Sequence, residues 1–239
     1  MKTKLILSTL FGMAAWSLSS VAAANWDTGA CPQPHQGPAP CIETEIHGNT
    51  YHFNGSGGHA NVWHGRPAVE GGGDFDFSGD NVLLECDEGN PDCILTLSGQ
   101  VKKCEDSNGD WRVGVKVTDS DVQAGDFLCN FISVSGFPWY SNTKPEEDQD
   151  HCSFVDDCDN FVLYDPAATT YTANFGAITV DASIIGNLVN AEHVHGVDFN
   201  PGVGANFAFD SFFYDCSESE DCHIEGVLTI DNATSLDIY

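Results

Sequence analysis

Two histidines, at positions 193 and 195, have the spacing that best suits binding of a transition metal. They lie in the segment Glu192-His193-Val194-His195-Gly196. In a β-strand, residues two apart point to the same side, so both imidazoles would reach one ion. The alternative is a pair of exposed strand or loop histidines without a ligand role. The sequence therefore offers His193 and His195 as a metal-site hypothesis.

The same string is similar to the copper-binding strand of Cu/Zn superoxide dismutases. That family carries further histidine ligands downstream, whereas His223 is the one histidine after His195 in this chain. The likeness therefore implies a ligand pair without the rest of that family's site. The remaining histidines would contribute only if the fold brought them near: His35, His47, His52, His59, His64 and His151.

Acidic residues also occur at spacings that would suit Ca²⁺. Asp106, Asn108 and Asp110 begin like an EF-hand loop, but Gly109 takes the fourth place instead of the sixth and no Glu occupies the twelfth. A hairpin turn explains this set better. Ca²⁺ is thus a cofactor hypothesis, with a solvated acidic surface as its alternative. Three further acidic groups raise the same question: Asp74/Asp76/Asp80, Asp119/Asp121 and Asp156/Asp157/Asp159.

Signatures of common catalytic sites do not occur in the sequence. It contains no Gly-x-Ser-x-Gly, no His-Glu-x-x-His and no Gly-x-x-x-x-Gly-Lys. Carboxylate pairs suited to glycoside hydrolysis are so common in an acidic chain that they do not distinguish a glycosidase from a protein without catalytic activity. We therefore expect a protein that is not an enzyme.

The first 24 residues have the order of a cleavable signal peptide. Lys2 and Lys4 precede an apolar run from Leu5 to Trp16, and small residues follow at 21–24. This run is shorter than the roughly 20 residues that a membrane span needs. We therefore expect a secreted or extracellular protein with no transmembrane segment in its mature chain.

The ten cysteines all follow the signal, and an even number in an exported chain predicts disulfides. A zinc site is disfavoured because the spacings are not Cys-x-x-Cys. For the connectivity, we propose local pairing between cysteines that are close in sequence. The proposed pairs are Cys31 with Cys41, Cys86 with Cys93, Cys104 with Cys129, Cys152 with Cys158, and Cys216 with Cys222.

The charge of the chain excludes one class of partner. Lys2 and Lys4 fall in the signal, which leaves 6 Lys and Arg against 36 Asp and Glu, a formal charge of −30. Such a chain lacks the basic surface that nucleic acid requires. Salt screens the repulsion among the carboxylates, so the composition favours a halophilic or marine bacterium.

Short strands with turn residues between them indicate the fold class. Residues 25–73 are rich in Pro, Gly and His and predict an irregular N-terminal arm after the signal peptide 1–24, although 42–53 alternate like a strand. Beyond 74, short β-rich runs recur, and Asn108-Gly109 is a strong hairpin signal. We therefore predict an all-β protein whose domain 74–239 is an antiparallel β-sandwich or barrel with stapling disulfides.

Four segments carry a resemblance to a known family. They are the strand Leu95-Thr-Leu-Ser-Gly, Phe127-Leu128-Cys129, Gly136-Phe137-Pro138-Trp139, and a terminal Cys222-x-x-x-Gly-x-x-x-x-x-Asn232. Over about residues 82–140 and 177–236 the chain resembles the alkane oxidation protein activators, the PraB-like family of exported bacterial proteins. The resemblance implies a secreted β protein that supports growth on or attachment to hydrophobic substrates, and biofilm life. It implies no catalytic residues.

Two other functional classes stay open. The first is a polymerising subunit of an extracellular filament or biofilm matrix, because exposed strand edges template self-association. The second is a secreted metal-dependent enzyme built on His193 and His195. If the chain is a polymerising subunit, its partners would be other copies of the chain. If it acts like the PraB-like family, its partners would be cell-surface or hydrophobic material.

Overall fold

The computed structural model describes residues 26–32, 38–54, 58–87, 89–123, 125–144 and 152–239. The expected signal peptide, the acidic run 146–150, His35 and His151 lie outside these residues.

The described part of the chain is all-β, which confirms the predicted class. Its strands are β1 (Asp27–Thr28), β2 (Ile42–Ile46), β3 (Asn49–Phe53), β4 (Phe75–Glu85), β5 (Asp92–Glu105), β6 (Trp111–Gln123), β7 (Ile132–Ser135), β8 (Trp139–Asn142), β9 (Val162–Leu163), β10 (Tyr171–Ala182), β11 (Gly186–Asn200), β12 (Gly202–Val203), β13 (Asn206–Tyr214), β14 (Glu220–Ile230) and β15 (Ser235–Ile238).

Eight of these strands close into an antiparallel barrel. Their order around the barrel is β4-β5-β6-β8-β10-β11-β13-β14, and β14 pairs with β4 to complete the circle. Spatial neighbours follow one another along the chain, so the topology is that of an up-and-down barrel. Of the two architectures that the sequence left open, the structure is the barrel.

Alternation along the strands fills the barrel with apolar side chains. In β4, Phe75 and Phe77 are buried, and Asp76 between them is less so. In β10, Tyr171 and Ala173 are buried, and Thr172 between them is exposed. Successive residues of a strand point to opposite faces, so this pattern separates an apolar interior from a polar exterior.

A second sheet packs against the barrel and changes our view of the N-terminal segment. Its order is β1-β3-β2-β15-β12, so the hairpin of β2 and β3 pairs with the last strand of the chain. Ile42 and Phe53 from this hairpin belong to the same buried core as Phe75 of the barrel. The expected irregular arm therefore contains regular strands, because its alternating residues find a partner strand almost 200 positions later.

All ten cysteines form disulfides, but four of the five proposed pairs are wrong. Cys31–Cys41 has the local pairing that we proposed. Barrel closure places the end of β4 beside the start of β14. Cysteines that are close in sequence therefore lie next to different, distant segments of the chain. The pairs Cys86–Cys93, Cys104–Cys129, Cys152–Cys158 and Cys216–Cys222 are replaced by Cys86–Cys222, Cys93–Cys129, Cys104–Cys158 and Cys152–Cys216.

Two buried basic side chains lie where the second sheet meets the barrel. The ring of His64 is 1% exposed and stacks on Phe53, with ring centroids 3.7 Å apart. Burial lowers the pKa of His64 to about 4. Lys103 Nζ donates a hydrogen bond to Pro40 O at 2.7 Å, and burial lowers the pKa of this lysine to about 8. Both groups make the folded state bind protons less readily than the unfolded chain.

Acid should therefore destabilise the protein through His64. Its pKa is about 4 in the folded chain against 6.5 as the ordinary value. The unfolded chain then binds the extra proton between these pH values, so stability rises with pH from about 4 to 6.5 and is lost on acidification. The difference between the two pKa values is worth about 3 kcal/mol. His64→Phe, which retains a ring to stack on Phe53, should flatten this dependence in urea unfolding measured from pH 4 to 7.

The control is His47→Asn, because His47 is exposed and its positive φ of 52° is one that Asn tolerates. This variant should keep the wild-type dependence on pH. An unchanged slope in His64→Phe would show that His64 does not cause it.

Candidate functional site

The interior of the barrel contains an apolar cavity of about 130 Å³. Phe77, Phe175 and Phe207 line it together with residues from every barrel strand, and Leu236 and Ile238 of β15 line it from the second sheet. The aromatic rings contact one another, with Phe77 and Phe207 centroids 4.8 Å apart at an interplanar angle of 65°. The cavity is thus a space between packed rings and aliphatic chains.

The polar side chains on the cavity lining already have partners in the protein. Ser141 Oγ accepts a hydrogen bond from Val115 N at 3.1 Å, and Ser98 Oγ donates to Asp76 Oδ1 at 2.6 Å. Gln100 Nε2 donates to Asp74 Oδ1 at 2.6 Å. A water molecule needs two to four polar partners, so this cavity favours an apolar occupant over water.

The cavity offers binding without acid–base chemistry. Tyr171 is the one titratable side chain among the described lining residues, and its hydroxyl donates to Asp165 O at 3.1 Å. Burial raises the pKa of Tyr171 above its usual range. This phenol therefore stays protonated near neutral pH and cannot act there as a general base.

A void of this size is costly unless something fills it. Cavities cost about 24 cal/mol per Å³, so 130 Å³ corresponds to about 3 kcal/mol of lost stability. Apolar cavities of about 150 Å³ in other proteins stay dry and bind benzene or xenon. The interior therefore suits an apolar molecule of about six carbon atoms.

The two histidines of the metal-site hypothesis meet on the outer side of the barrel wall. His193 and His195 flank Val194 of β11, whose side chain lines the cavity, so the histidines point the opposite way. Their Nε2 atoms lie 3.6 Å and 3.8 Å from the two carboxylate oxygens of Glu218. One ligand atom from each of the three residues lies within 4.8 Å of the others.

Glu218 was not among the residues that sequence reasoning selected. It lies between Cys216 and Cys222, in a stretch that the sequence presented only as an acidic loop. His193 pairs with Tyr214 across β11 and β13, so the chain that follows Tyr214 returns toward the histidines. That cross-strand pairing brings Glu218 close to His193. No spacing pattern in the sequence predicts such a contact.

The acidic set of the Ca²⁺ hypothesis forms the hairpin turn between β5 and β6. Asp106 Oδ1 accepts hydrogen bonds from the backbone N–H groups of Asn108 and Asp110, each at 2.9 Å. Asp106 Oδ2 accepts from Arg112 Nε at 2.8 Å. These contacts lower the pKa of Asp106, with the backbone N–H of Asp110 as the largest cause. This geometry favours the hairpin alternative over a cation site.

Four of the other described histidines have polar partners of their own, whereas the ring of His64 stacks on Phe53. His47 Nδ1 lies 3.0 Å from Glu70, and His59 Nε2 lies 3.6 Å from Asp27. His223 lies between Asp210 and Glu85, at 2.8 Å and 3.3 Å. His52 Nδ1 lies 2.7 Å from Gly29 O.

Comparisons with known proteins add no relative to these observations. A scan against protein-family models found no match, and searches of curated proteins and of solved structures found none either. None of the helices in the described residues has the length and apolar character of a membrane span. The five disulfides are consistent with an oxidising compartment outside the cytoplasm.

Partial filling of the cavity should stabilise the protein. Ala173→Leu adds three carbon atoms on the cavity lining, and the expected gain in the free energy of unfolding is about 1–2 kcal/mol. Ala208→Leu makes the same change on the outward face of β13, between Phe207 and Phe209 of the lining, and should alter stability by no more than about 0.5 kcal/mol. Urea unfolding of both variants measures the difference. A destabilised Ala173→Leu variant would mean that the space is not available.

Proposed function

We propose that this protein is a secreted, non-catalytic binding protein for small apolar molecules, and that it supports growth on or attachment to hydrophobic substrates. The observation that carries the proposal is the cavity of about 130 Å³, with aromatic and aliphatic walls and hydrogen-bonded polar groups. The proposal agrees with the resemblance to the PraB-like family, which implies an accessory role in the use of hydrophobic carbon sources.

The size of the cavity limits the ligand. A six-carbon ring buries roughly 200 Å² of apolar surface, which gives about 5 kcal/mol at 25 cal/mol per Å². That corresponds to a Kd on the order of 0.1–1 mM. Such weak binding suits a carrier that takes up and releases its ligand, and the volume excludes a whole long-chain alkane unless the barrel expands.

The acidic outer surface suits a protein that functions outside the cell at high salt concentration. Only 8 Lys and Arg accompany 36 Asp and Glu in the whole chain. Asp210 lies directly opposite Glu225 across β13 and β14, and Glu43 lies opposite Asp237 across β2 and β15. Like charges in these positions destabilise a sheet, and dissolved salt weakens their repulsion.

The filament alternative has less support than the binding function. Pairing of β14 with β4 closes the barrel, so these two strands have no free edge for another copy of the chain. The outer strands of the second sheet, β1 and β12, contain two residues each. Within the described residues, we find no long open edge that would favour polymerisation.

Ligand binding can be tested directly with benzene and cyclohexane as probes. Each should raise the melting temperature of the wild-type protein, because a ligand that binds only the folded state stabilises it. Ala173→Leu should lose this shift, and Ala208→Leu should retain it. No shift in the wild type, or an equal shift in Ala173→Leu, would exclude binding in the barrel.

The role in growth has a separate test in the source bacterium. Deleting the gene should impair growth on, or attachment to, a liquid hydrocarbon and leave growth on acetate intact. The wild-type gene and the gene for Ala208→Leu should restore the phenotype, and the gene for Ala173→Leu should not. Equal growth and attachment of the deletion strain on both carbon sources would contradict this role.

A further inference from the structure

We propose that His193, His195 and Glu218 form a binding site for one divalent transition-metal ion of the Zn²⁺ class on the outer wall of the barrel. The site is separate from the cavity and does not depend on the binding function proposed above. It would join two segments that are far apart in the sequence, strand β11 and the turn between β13 and β14.

The distances among the three side chains suit a tetrahedral ion. Around Zn²⁺ with bonds of about 2.0–2.1 Å to nitrogen and oxygen, neighbouring ligand atoms stand about 3.3 Å apart. The Nε2 atoms of His193 and His195 lie 3.6 Å and 3.8 Å from the Glu218 oxygens, and the full set lies within 4.8 Å. A contraction of less than about 1.5 Å would therefore bring all three onto one ion.

The backbone holds Glu218 in place beneath the histidines. Asp215 Oδ1 accepts hydrogen bonds from Ser217 N at 2.7 Å and from Ser219 N at 3.0 Å. Glu218 N donates to Asp215 O at 3.0 Å, and Glu218 has a positive φ of 60°. The turn thus presents this carboxylate from a fixed backbone, which lowers the entropic cost of binding an ion.

Neighbouring rings and a disulfide hold the histidines in position. The ring of Tyr214 stacks on His195 with centroids 4.4 Å apart and an interplanar angle of 19°. Phe154 lies 5.4 Å from the ring of His193, which is 1% exposed. The disulfide Cys152–Cys216 ties the segment before Phe154 to the turn that carries Glu218. The ligands are therefore oriented before an ion arrives.

The donor set selects the class of metal. Two imidazole nitrogens and one carboxylate oxygen suit Zn²⁺, Cu²⁺, Ni²⁺ or Fe²⁺, whereas Ca²⁺ takes six to eight oxygen ligands. Three protein ligands around a tetrahedral ion leave a fourth position for water. Glu218 is half-buried and His195 is 20% exposed at its side chain, while Nε2 of both histidines and Oε1 of Glu218 are themselves buried.

The proposal is tested by calorimetric titration of the chelator-treated full mature protein with Zn²⁺, and by visible spectroscopy with Co²⁺. We expect saturation at one Zn²⁺ per chain, a rise in melting temperature, and intense Co²⁺ absorption of the tetrahedral kind. Ca²⁺ at equal ionic strength should give no comparable stabilisation. Stabilisation by Ca²⁺ equal to that by Zn²⁺ would overturn the proposed class of metal.

Two conservative variants test the ligands without removing their packing. His195→Phe retains a ring to stack on Tyr214, and Glu218→Gln retains the shape of the side chain. Each should weaken Zn²⁺ binding at least 10-fold and change the Co²⁺ spectrum, with a chelated-state melting temperature close to that of the wild type.

The matched control is His223→Phe, because His223 lies among carboxylates of Asp210 and Glu85 outside the proposed site. It should bind Zn²⁺ as the wild type does. The proposal is overturned if the wild type does not bind at a 1:1 ratio, or if His195→Phe and Glu218→Gln both bind Zn²⁺ as tightly as the wild type. Loss of binding in His223→Phe equal to that in His195→Phe would also overturn it.

Discussion

The pairing of β14 with β4 is the constraint on which the rest of the structure depends. It joins residues that are far apart in the chain, 140 positions in the pair Ile224 and Leu84, and turns a meander of strands into a closed barrel. Closure directs every second side chain of the eight strands into one shared interior. The phenylalanines among them, such as Phe77 and Phe207, leave a cavity of about 130 Å³ between their rings. The candidate ligand site is thus a product of barrel closure.

The same closure explains the features around the barrel. Cys86 and Cys222 flank the β4–β14 pairing, and their disulfide links its two strands. After β14 the chain continues into β15, which pairs with the N-terminal hairpin and places Leu236 against the cavity. The two faces of β11 lie in different environments. Val194 faces the barrel interior, and His193 and His195 face Glu218 on the outer wall of the barrel.

Local patterns in the sequence predicted the features that depend on residues close together in the chain, which are the strands, a hairpin and the shared face of two histidines. The alternation of apolar residues indicated an all-β protein, Asn108-Gly109 lies in the hairpin between β5 and β6, and the two-residue period put His193 and His195 on one face. Contacts between distant segments were beyond such patterns. The partner of Cys86 lies 136 positions away, and Glu218 reaches the histidines only through the pairing of β11 with β13. The choice of barrel over sandwich also depends on one long-range strand pair.

A crystal structure of the protein under xenon pressure tests the apolar cavity inside the barrel most directly. Xenon enters dry apolar cavities and needs no hydrogen-bond partner. We expect a xenon atom inside the barrel, in contact with Phe77, Phe175 and Phe207, and we expect Ala173→Leu to remove or displace it. A barrel interior filled by side chains or ordered water, with no xenon between these rings, would contradict the claim that the fold is built around an apolar binding cavity.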